Sequence, residues 1–337
     1  MADKNRPEVK KSEWMANLDP LLHHIPINQL IIPGSHDSGA FELYLSKGIG
    51  VDRPDLQQNF FFNPRIFSVS APVLHSFSVT QEKDIFDQLM DGVRYFDFRI
   101  GLRNEDEQFY IVHNLYGPKI NFVTEQIVSF LSSHPKEILI IDIQHAWGLR
   151  DIPDFQRLFN IFDEKIGHFM LKKSSLGPDL KSLPSLRNFW DLKKSIMLIW
   201  RVQDDSIGYE IPSKFWHGKD HIDSPWPNTT NCNQLRRFLQ SKWEERKNNP
   251  IDPNRIFVSQ AVLTPNFWFV LGHVFGDLRR LSLRAQKMLA LILAERPDSI
   301  RFSNVIMIDF VGEFDRELRL DLIQSIIDCN RLLIRED

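Results

Sequence analysis

A histidine–aspartate pair directly follows a short apolar segment near the start of the chain. Residues 30–32 are apolar and predict a buried strand, and Pro33 and Gly34 predict its end. His36 and Asp37 would then lie at the carboxyl end of that strand, where α/β sheets and barrels bind their ligands. Because an imidazole exchanges protons near neutral pH and a neighbouring carboxylate tunes it, the pair is a candidate acid–base site.

Further ionisable side chains lie at the ends of later predicted strands. Arg99 closes the strand predicted at residues 93–99. His113 follows the strand predicted at residues 109–112, and Asp309 lies inside the last buried strand, near its end. Such a set can carry out phosphoryl transfer without a metal, because one imidazole can deprotonate an attacking hydroxyl while the other protonates the leaving oxygen. The guanidinium would neutralise the phosphate, and a buried carboxylate would fix the tautomer of the base.

Each of these residues also has a purely structural interpretation. Arg99 and Asp97 could form an ion pair inside a barrel, and His113 could be a core histidine bonded to the backbone. Asp142 is as well placed as Asp309 to be the buried carboxylate, and periodicity does not choose between them. The structural interpretations weaken when the residues are taken together, because unrelated polar side chains have no reason to gather at one end of successive strands.

The elements that must position these side chains alternate along the chain. Further predicted strands lie at residues 137–143, 195–200, 256–260 and 305–310, and predicted helices at 81–91, 124–132, 154–169, 235–247, 277–295 and 317–334. This alternation predicts an α/β fold, either a parallel sheet or a closed (β/α) barrel, and a length of 337 residues suits one barrel domain. Long irregular segments remain at 47–79, 203–233 and 264–276.

Composition and charge exclude several classes of function. The net charge of −3 gives no overall attraction to nucleic acid, and we expect no nucleic-acid partner. Cys232 and Cys329 form neither a metal-binding pattern nor a disulfide framework, which suits a reducing compartment. The first residues lack the apolar core of a signal peptide, and no apolar run approaches the ~20 residues of a membrane span. We therefore expect a cytoplasmic protein without a transmembrane segment.

Several segments together resemble the phosphatidylinositol-specific phospholipases C of the X-domain-containing type, a small eukaryotic group similar to the bacterial enzymes. The matching segments, over roughly residues 12–330, are Trp14-Met15, the IPGSHDS strand end at 32–38, Thr80-Gln81, GVRYFDFR at 92–99, the His113 strand end, PWPNTT at 225–230, SQAVLTP at 259–265 and the Asp309 strand. The resemblance implies a distorted TIM-type barrel. We expect one catalytic barrel domain over residues 12–337, preceded by a disordered tail at 1–11.

The resemblance also implies a role for each candidate residue. His36 would be the general base that deprotonates the inositol 2-hydroxyl, and Asp309 would orient it. His113, assisted by Asp37, would be the general acid for the leaving glycerol oxygen. Arg99 would bind the phosphate and stabilise the charge that develops on it. The products would be a cyclic inositol phosphate and diacylglycerol.

The resemblance extends to substrate binding and to the metal requirement. Arg201, at the end of the strand predicted at 195–200, falls where the bacterial enzymes place an arginine that contacts inositol. Calcium-dependent relatives need several oxygen ligands around the phosphate. Here Arg99 occupies one of those positions, and Gln144, which carries no charge, lies near another. We therefore predict a calcium-independent activity with no metal and no cofactor.

The chain departs from the family pattern beside the general acid. The family strand usually ends in His-Gly, whereas Asn114 follows His113 here, so that Asn114 either narrows the site or adopts the left-handed conformation that asparagine tolerates. The acidic and aromatic side chains that bind inositol in the bacterial enzymes have no clear counterpart in residues 203–233. Two alternative functions therefore stay open, namely a phosphodiesterase for a soluble diester and a catalytically weak or inactive lipid-binding barrel.

The expected partner is a phosphatidylinositol-type lipid at a membrane surface, bound peripherally by a monomer. Two aromatic trios in the long irregular segments are candidates for contact with that surface, namely Phe60-Phe61-Phe62 and Phe267-Trp268-Phe269. The alternative is that each trio packs beneath its own loop.

Overall fold

In the part of the chain that the structure describes, eight parallel strands form the curved wall of one α/β barrel. The computed structural model describes residues 10–57, 67–177, 181–202, 207–273 and 276–334. In those residues the strands are β1 (Ile32–Ser35), β2 (Tyr95–Arg103), β3 (Gln108–His113), β4 (Leu115–Lys119), β5 (Leu139–Trp147), β6 (Ile196–Trp200), β7 (Trp216–His217), β8 (Ile222–Asp223), β9 (Ile256–Gln260) and β10 (Val305–Ile308).

The parallel strands follow one another around the barrel in chain order. Their spatial order is β7-β6-β5-β2-β1-β10-β9-β8, so the first strand pairs with the last. No ladder joins β7 to β8 within the described ranges, and the wall is open there. The strands β3 and β4 form an antiparallel extension of β2. The predicted distorted TIM-type barrel in a single domain is therefore confirmed.

Helices cover the outside of the strands. They are α1 (Pro54–Gln57), α2 (Phe67–Ser76), α3 (Ile85–Met90), α4 (Ile120–Ser133), α5 (Ile152–Ile166), α6 (Leu186–Asp191), α7 (Gly218–His221), α8 (Cys232–Asn248), α9 (Phe267–Gly272), α10 (Leu278–Glu295), α11 (Asp315–Leu318) and α12 (Leu322–Asp328). All five residues of β6 are buried, as expected for a parallel strand covered on both faces. No helix in the described ranges is both long and apolar enough to cross a bilayer.

The first strand extends beyond its predicted end. The prediction stopped it before Pro33, whereas β1 continues through Pro33 and Gly34 to Ser35. Proline lacks an N–H, but its carbonyl oxygen accepts a hydrogen bond from the backbone of Arg94 at 2.9 Å, which keeps it in the sheet. A side chain at Gly34 would lie 2.9 Å from the side chain of Val305, so glycine permits this close approach of β1 and β10.

Local capping explains why several helices differ from their predicted bounds. The helix predicted at 81–91 begins only at Ile85, because the side chain of Asp84 caps it by accepting the N–H of Asp87. The helix predicted at 317–334 is broken, since Arg319 adopts a left-handed conformation with φ of 51° and ends α11. Residues 1–9 lie outside the described residues, so the predicted tail at 1–11 stays a prediction.

A buried ion pair fastens the start of the chain to the barrel. Arg94 and Glu137 are 0% and 1% exposed, and their side chains meet at 2.8 Å. The guanidinium also donates to the carbonyl oxygens of Leu89 at 2.8 Å and Ser12 at 2.9 Å. Glu137 accepts the backbone N–H of Ala16 at 3.0 Å. Because every charge is paired or hydrogen-bonded, the cost of burying the pair is offset.

We predict that Arg94→Met destabilises the protein by about 3 to 5 kcal/mol, because it leaves the Glu137 carboxylate buried without a counter-charge. Urea unfolding followed by circular dichroism measures the change. The control is Arg187→Met, which breaks an ion pair with Asp191 whose two side chains are 56% and 55% exposed. Equal unfolding midpoints for the two variants would contradict the prediction.

Candidate active site

A cavity of ≈ 390 Å³ opens among the carboxyl ends of the strands. Five of the predicted site residues line it, namely His36, Asp37, Arg99, His113 and Arg201. The sixth, Asp309, is 3% exposed and lies against the ring of His36. The structure therefore brings all six predicted residues together at one end of the barrel.

The carboxylate of Asp37 is the common contact of the site. It is 1% exposed and pairs with the Nε of Arg99. Its Oδ2 lies 3.5 Å from the Nε2 of His36 and 3.3 Å from the Nε2 of His113. Burial opposes the charged form, but the guanidinium and then the two imidazoles hold the pKa of this carboxyl below its usual range. One anion thus sits among three groups that can carry positive charge.

The turn after β1 aims these side chains. Asp37 adopts a left-handed conformation with φ of 41°, which aspartate tolerates better than most residues. Its backbone oxygen accepts a hydrogen bond from the hydroxyl of Thr80 at 3.0 Å. The side-chain amide of Gln81 donates to the backbone oxygen of His36 at 2.9 Å. The Thr80-Gln81 segment therefore holds the backbone that carries the His-Asp pair.

His36 is oriented by Asp309. Its Nδ1 lies 2.8 Å from the Oδ1 of Asp309, which leaves Nε2 beside the cavity, 3.3 Å from the Nη2 of Arg99. Burial disfavours the charged ring, but the carboxylates of Asp37 and Asp309 outweigh this effect and raise the pKa of His36 to about 9. Periodicity left the choice between Asp309 and Asp142 open and the family resemblance assigned Asp309, and in the structure it is Asp309 that contacts His36.

His113 is both bonded to the backbone, as in the structural interpretation, and directed at the site, as in the functional one. Its Nδ1 donates to the backbone oxygen of Ser78 at 2.6 Å, while its Nε2 faces Asp37. Both ring nitrogens therefore face oxygen acceptors. His113 reaches the site by an unexpected route, since β3 is antiparallel to β2 and returns the chain to the level of Arg99.

Arg99 is held by two carboxylates, one in the turn after β1 and one within its own strand β2. Besides its contact with Asp37, its Nη2 lies 3.8 Å from the Oδ2 of Asp97. Burial opposes its charge, but these carboxylates outweigh burial and raise the pKa of the guanidinium. Within the described ranges, His36, Asp37 and Asp97 form the one group of ligand atoms close enough to hold a metal ion. The Arg99 guanidinium already contacts all three of these residues and would repel a cation.

Arg201 and Asp142 form a second polar pair in the wall of the cavity. The Nη1 of Arg201 donates to the Oδ2 of Asp142 at 3.0 Å, and the hydroxyl of Tyr95 donates to the same oxygen at 2.7 Å. Burial raises the pKa of Asp142 to about 6, although Arg201 opposes the shift. Asp142 therefore fixes the position of Arg201 rather than that of a histidine.

The cavity has further lining residues, of which sequence reasoning had placed Gln144 near the phosphate but had not identified His145 or Trp226 as site residues. An irregular register between β2 and β5 pairs Phe98 with Ile143 but Arg99 with His145, so that both Gln144 and His145 line the cavity. Pairing register is a long-range property, so no local signal marks His145. Trp226 also lines the cavity, is 54% exposed, and donates to the hydroxyl of Thr264 at 3.0 Å. The sequence signal that could have identified Trp226 is the PWPNTT segment that contains it.

The aromatic trios fall largely beyond what the structure describes. Phe60-Phe61-Phe62 and the side chains of Phe267 and Trp268 lie outside the described residues. Phe269 packs against the core, and its ring stacks on that of His273 with centroids 4.1 Å apart. Membrane contact by the trios therefore stays a prediction.

Comparison with known proteins places the chain in a family. PI-PLC X domain-containing protein 3 from Homo sapiens is 30% identical over 320 residues, which cover 93% of this chain and 94% of the human protein. The chain belongs to the PI-PLC X domain-containing proteins. A second member of the family, PI-PLC X domain-containing protein 2 from Homo sapiens, is 31% identical over 286 residues, or 84% of this chain and 88% of that protein. No protein-family model matches the sequence.

Solved structures share the fold of this PI-PLC X domain-containing protein. The phosphatidylinositol-specific phospholipase C from Staphylococcus aureus superposes with a TM-score of 0.66 at 16% identity, over 95% of this chain and 98% of the bacterial one. The enzyme from Listeria monocytogenes gives a TM-score of 0.61 at 17% identity, again over 95% and 98%. At these identities the likeness concerns the barrel.

We predict that the pKa of His36, measured by NMR titration of the labelled imidazole, is about 9. The variant Asp309→Asn should lower that pKa, because it removes a carboxylate that favours the charged ring. The matched control Asp142→Asn should leave it unchanged, because Asp142 contacts Arg201 and Tyr95 instead. An unchanged His36 pKa in Asp309→Asn would contradict the assignment.

Proposed function

We propose that this protein is a calcium-independent phospholipase C-type phosphodiesterase that acts on a phosphatidylinositol-type lipid. One observation carries the proposal: the Nε2 atoms of His36 and His113 both lie within 3.5 Å of one Asp37 oxygen, beside the Arg99 guanidinium. Two proton-transfer groups and a fixed cation are thereby within reach of a single phosphate group. The bacterial proteins that share the fold are phosphatidylinositol-specific phospholipases C by name, which supports this choice of substrate.

The proposed reaction removes a proton on one side of the phosphate and delivers a proton on the other. Neutral His36 takes the proton of the inositol 2-hydroxyl through Nε2, and that oxygen attacks phosphorus. The bond between phosphorus and the glycerol oxygen breaks, and His113 gives its proton to that oxygen. Arg99 stabilises the charge on the phosphate oxygens throughout. The products are a cyclic inositol phosphate and diacylglycerol.

The remaining roles belong to residues that hold these groups or the headgroup. Asp309 orients His36 and favours the imidazolium that forms during attack, and Asp37 does the same for His113 before it gives up its proton. Arg201, held by Asp142, would bind the inositol. We also propose that the protein meets its substrate as a monomer at a membrane surface, from a cytoplasmic location.

The first prediction tests the acid and the base. His36→Ala and His113→Ala should each lower the release of water-soluble inositol phosphate from phosphatidylinositol micelles in EGTA by about 10²- to 10⁴-fold, because each removes one proton-transfer group. His24→Ala, which replaces an exposed histidine that does not line the cavity, is the control. No activity of the wild type on this lipid or its phosphorylated forms would favour a soluble diester or an inactive lipid-binding barrel.

The second prediction concerns calcium. Activity in EGTA should equal activity in millimolar calcium within about twofold, because Arg99 fills the space between the carboxylates that a calcium ion would need. The same micelle assay measures it. Strong activation by calcium would overturn the calcium-independent mechanism while leaving the acid and base assignments open to their own test.

A further inference from the structure

Every polar group of Asn114, the residue after the proposed general acid, is engaged. Its backbone N–H donates to the Oδ2 of Asp52 at 2.8 Å, and its backbone oxygen accepts the N–H of Gly50 at 2.7 Å. Its side-chain Nδ2 donates to the hydroxyl of Ser78 at 2.9 Å, and its Oδ1 accepts from the Nη1 of Arg53 at 2.6 Å. Asn114 therefore joins three segments of the chain.

Ser78 links these contacts to the general acid. Its backbone oxygen accepts the Nδ1–H of His113 at 2.6 Å, while its hydroxyl oxygen accepts from Asn114. The same hydroxyl donates to the backbone oxygen of Leu74 at 2.6 Å. Ser78 is 0% exposed, so it has little room to move. His113 and Asn114 thus bind two oxygens of one buried residue.

The arrangement is costly for stability. Asn114 adopts a left-handed conformation with φ of 59°, which glycine, the usual residue here in the family that the chain resembles, would adopt without strain. Burial raises the pKa of Asp52, whose second carboxylate oxygen has no hydrogen-bond partner in the described part of the chain. Strained backbone and poorly satisfied polar groups persist where function requires them.

We propose that Asn114 is a positioning residue for His113. By bridging Ser78 to the segment that carries Asp52 and Arg53, it fixes the imidazole so that Nε2 points at Asp37 and the leaving oxygen. The inference rests on the proposed function, because it concerns the delivery of a proton to that oxygen. Glycine at this position would keep the backbone conformation and lose the bridge.

The test compares two leaving groups. Asn114→Gly removes both side-chain contacts but keeps the backbone free to adopt its φ, and Ser78→Ala removes the hydroxyl from the other side. Each should lower kcat on phosphatidylinositol by about 10- to 100-fold, with KM unchanged. On a nitrophenyl ester of inositol phosphate, kcat should fall less than about threefold, because the phenolate leaves without a proton. The double variant should have a kcat on the lipid no lower than that of the less active single variant.

Lys193→Gly is the matched control, since Lys193 also has a left-handed conformation, with φ of 52°, but is exposed and does not line the cavity. It should leave both rates unchanged. If Asn114→Gly keeps the wild-type kcat on the lipid, the inference is overturned. An equal loss of kcat on both substrates would also overturn it, because it would indicate a structural role.

A second measurement needs no turnover and separates this inference from the proposed function. Exchange of the His113 Nδ1–H with solvent, followed by NMR, should be about tenfold faster in Asn114→Gly than in the wild type and unchanged in Lys193→Gly. Equal exchange in Asn114→Gly and the wild type would overturn the positioning role. Absence of wild-type activity on either substrate would instead overturn the proposed function.

Discussion

The site depends on one buried negative charge. A carboxylate that is 1% exposed, as Asp37 is, would be very costly without counter-charges. His36 in the turn after β1, Arg99 on β2 and His113 at the end of β3 supply these counter-charges. The cost of burying Asp37 is therefore offset only when these three segments meet in one arrangement. That arrangement also places two imidazoles and a guanidinium around one cavity.

The hairpin of β3 and β4 carries His113, the proposed general acid, to the wall of parallel strands. The carboxyl-terminal part of β2 extends as far as Arg103, and β3 runs back beside it. Arg103 lies opposite Gln108, and Ile100 lies opposite Ile111. His113 thereby arrives next to Arg99 from outside the ring of parallel strands. At the opposite end of the barrel, the buried pair of Arg94 and Glu137 connects β2 and β5 just before these strands begin.

Sequence reasoning succeeded where the chemistry is local. The strand at Ile256–Gln260 has its predicted bounds, because a short apolar run between polar turns has few other interpretations. Periodicity alone could not decide where long-range pairing sets the answer. The choice between Asp309 and Asp142 depends on the pairing of β1 with β10, and the place of His145 depends on a register shift between β2 and β5. Neither pairing leaves a periodic signal in the segments that form it.

The shared carboxylate also limits the protonation states that can support the proposed reaction. When both imidazoles are charged, they and Arg99 repel one another across Asp37, and when both are neutral, the carboxylate has only the guanidinium as a counter-charge. The state in which only one of the two rings is charged avoids both costs. When that ring is His113, this state has a base on one side of the phosphate and an acid on the other. Asp309 favours protonation of His36, whereas the positive charge of the neighbouring Arg99 opposes it and so favours the neutral form that attack requires.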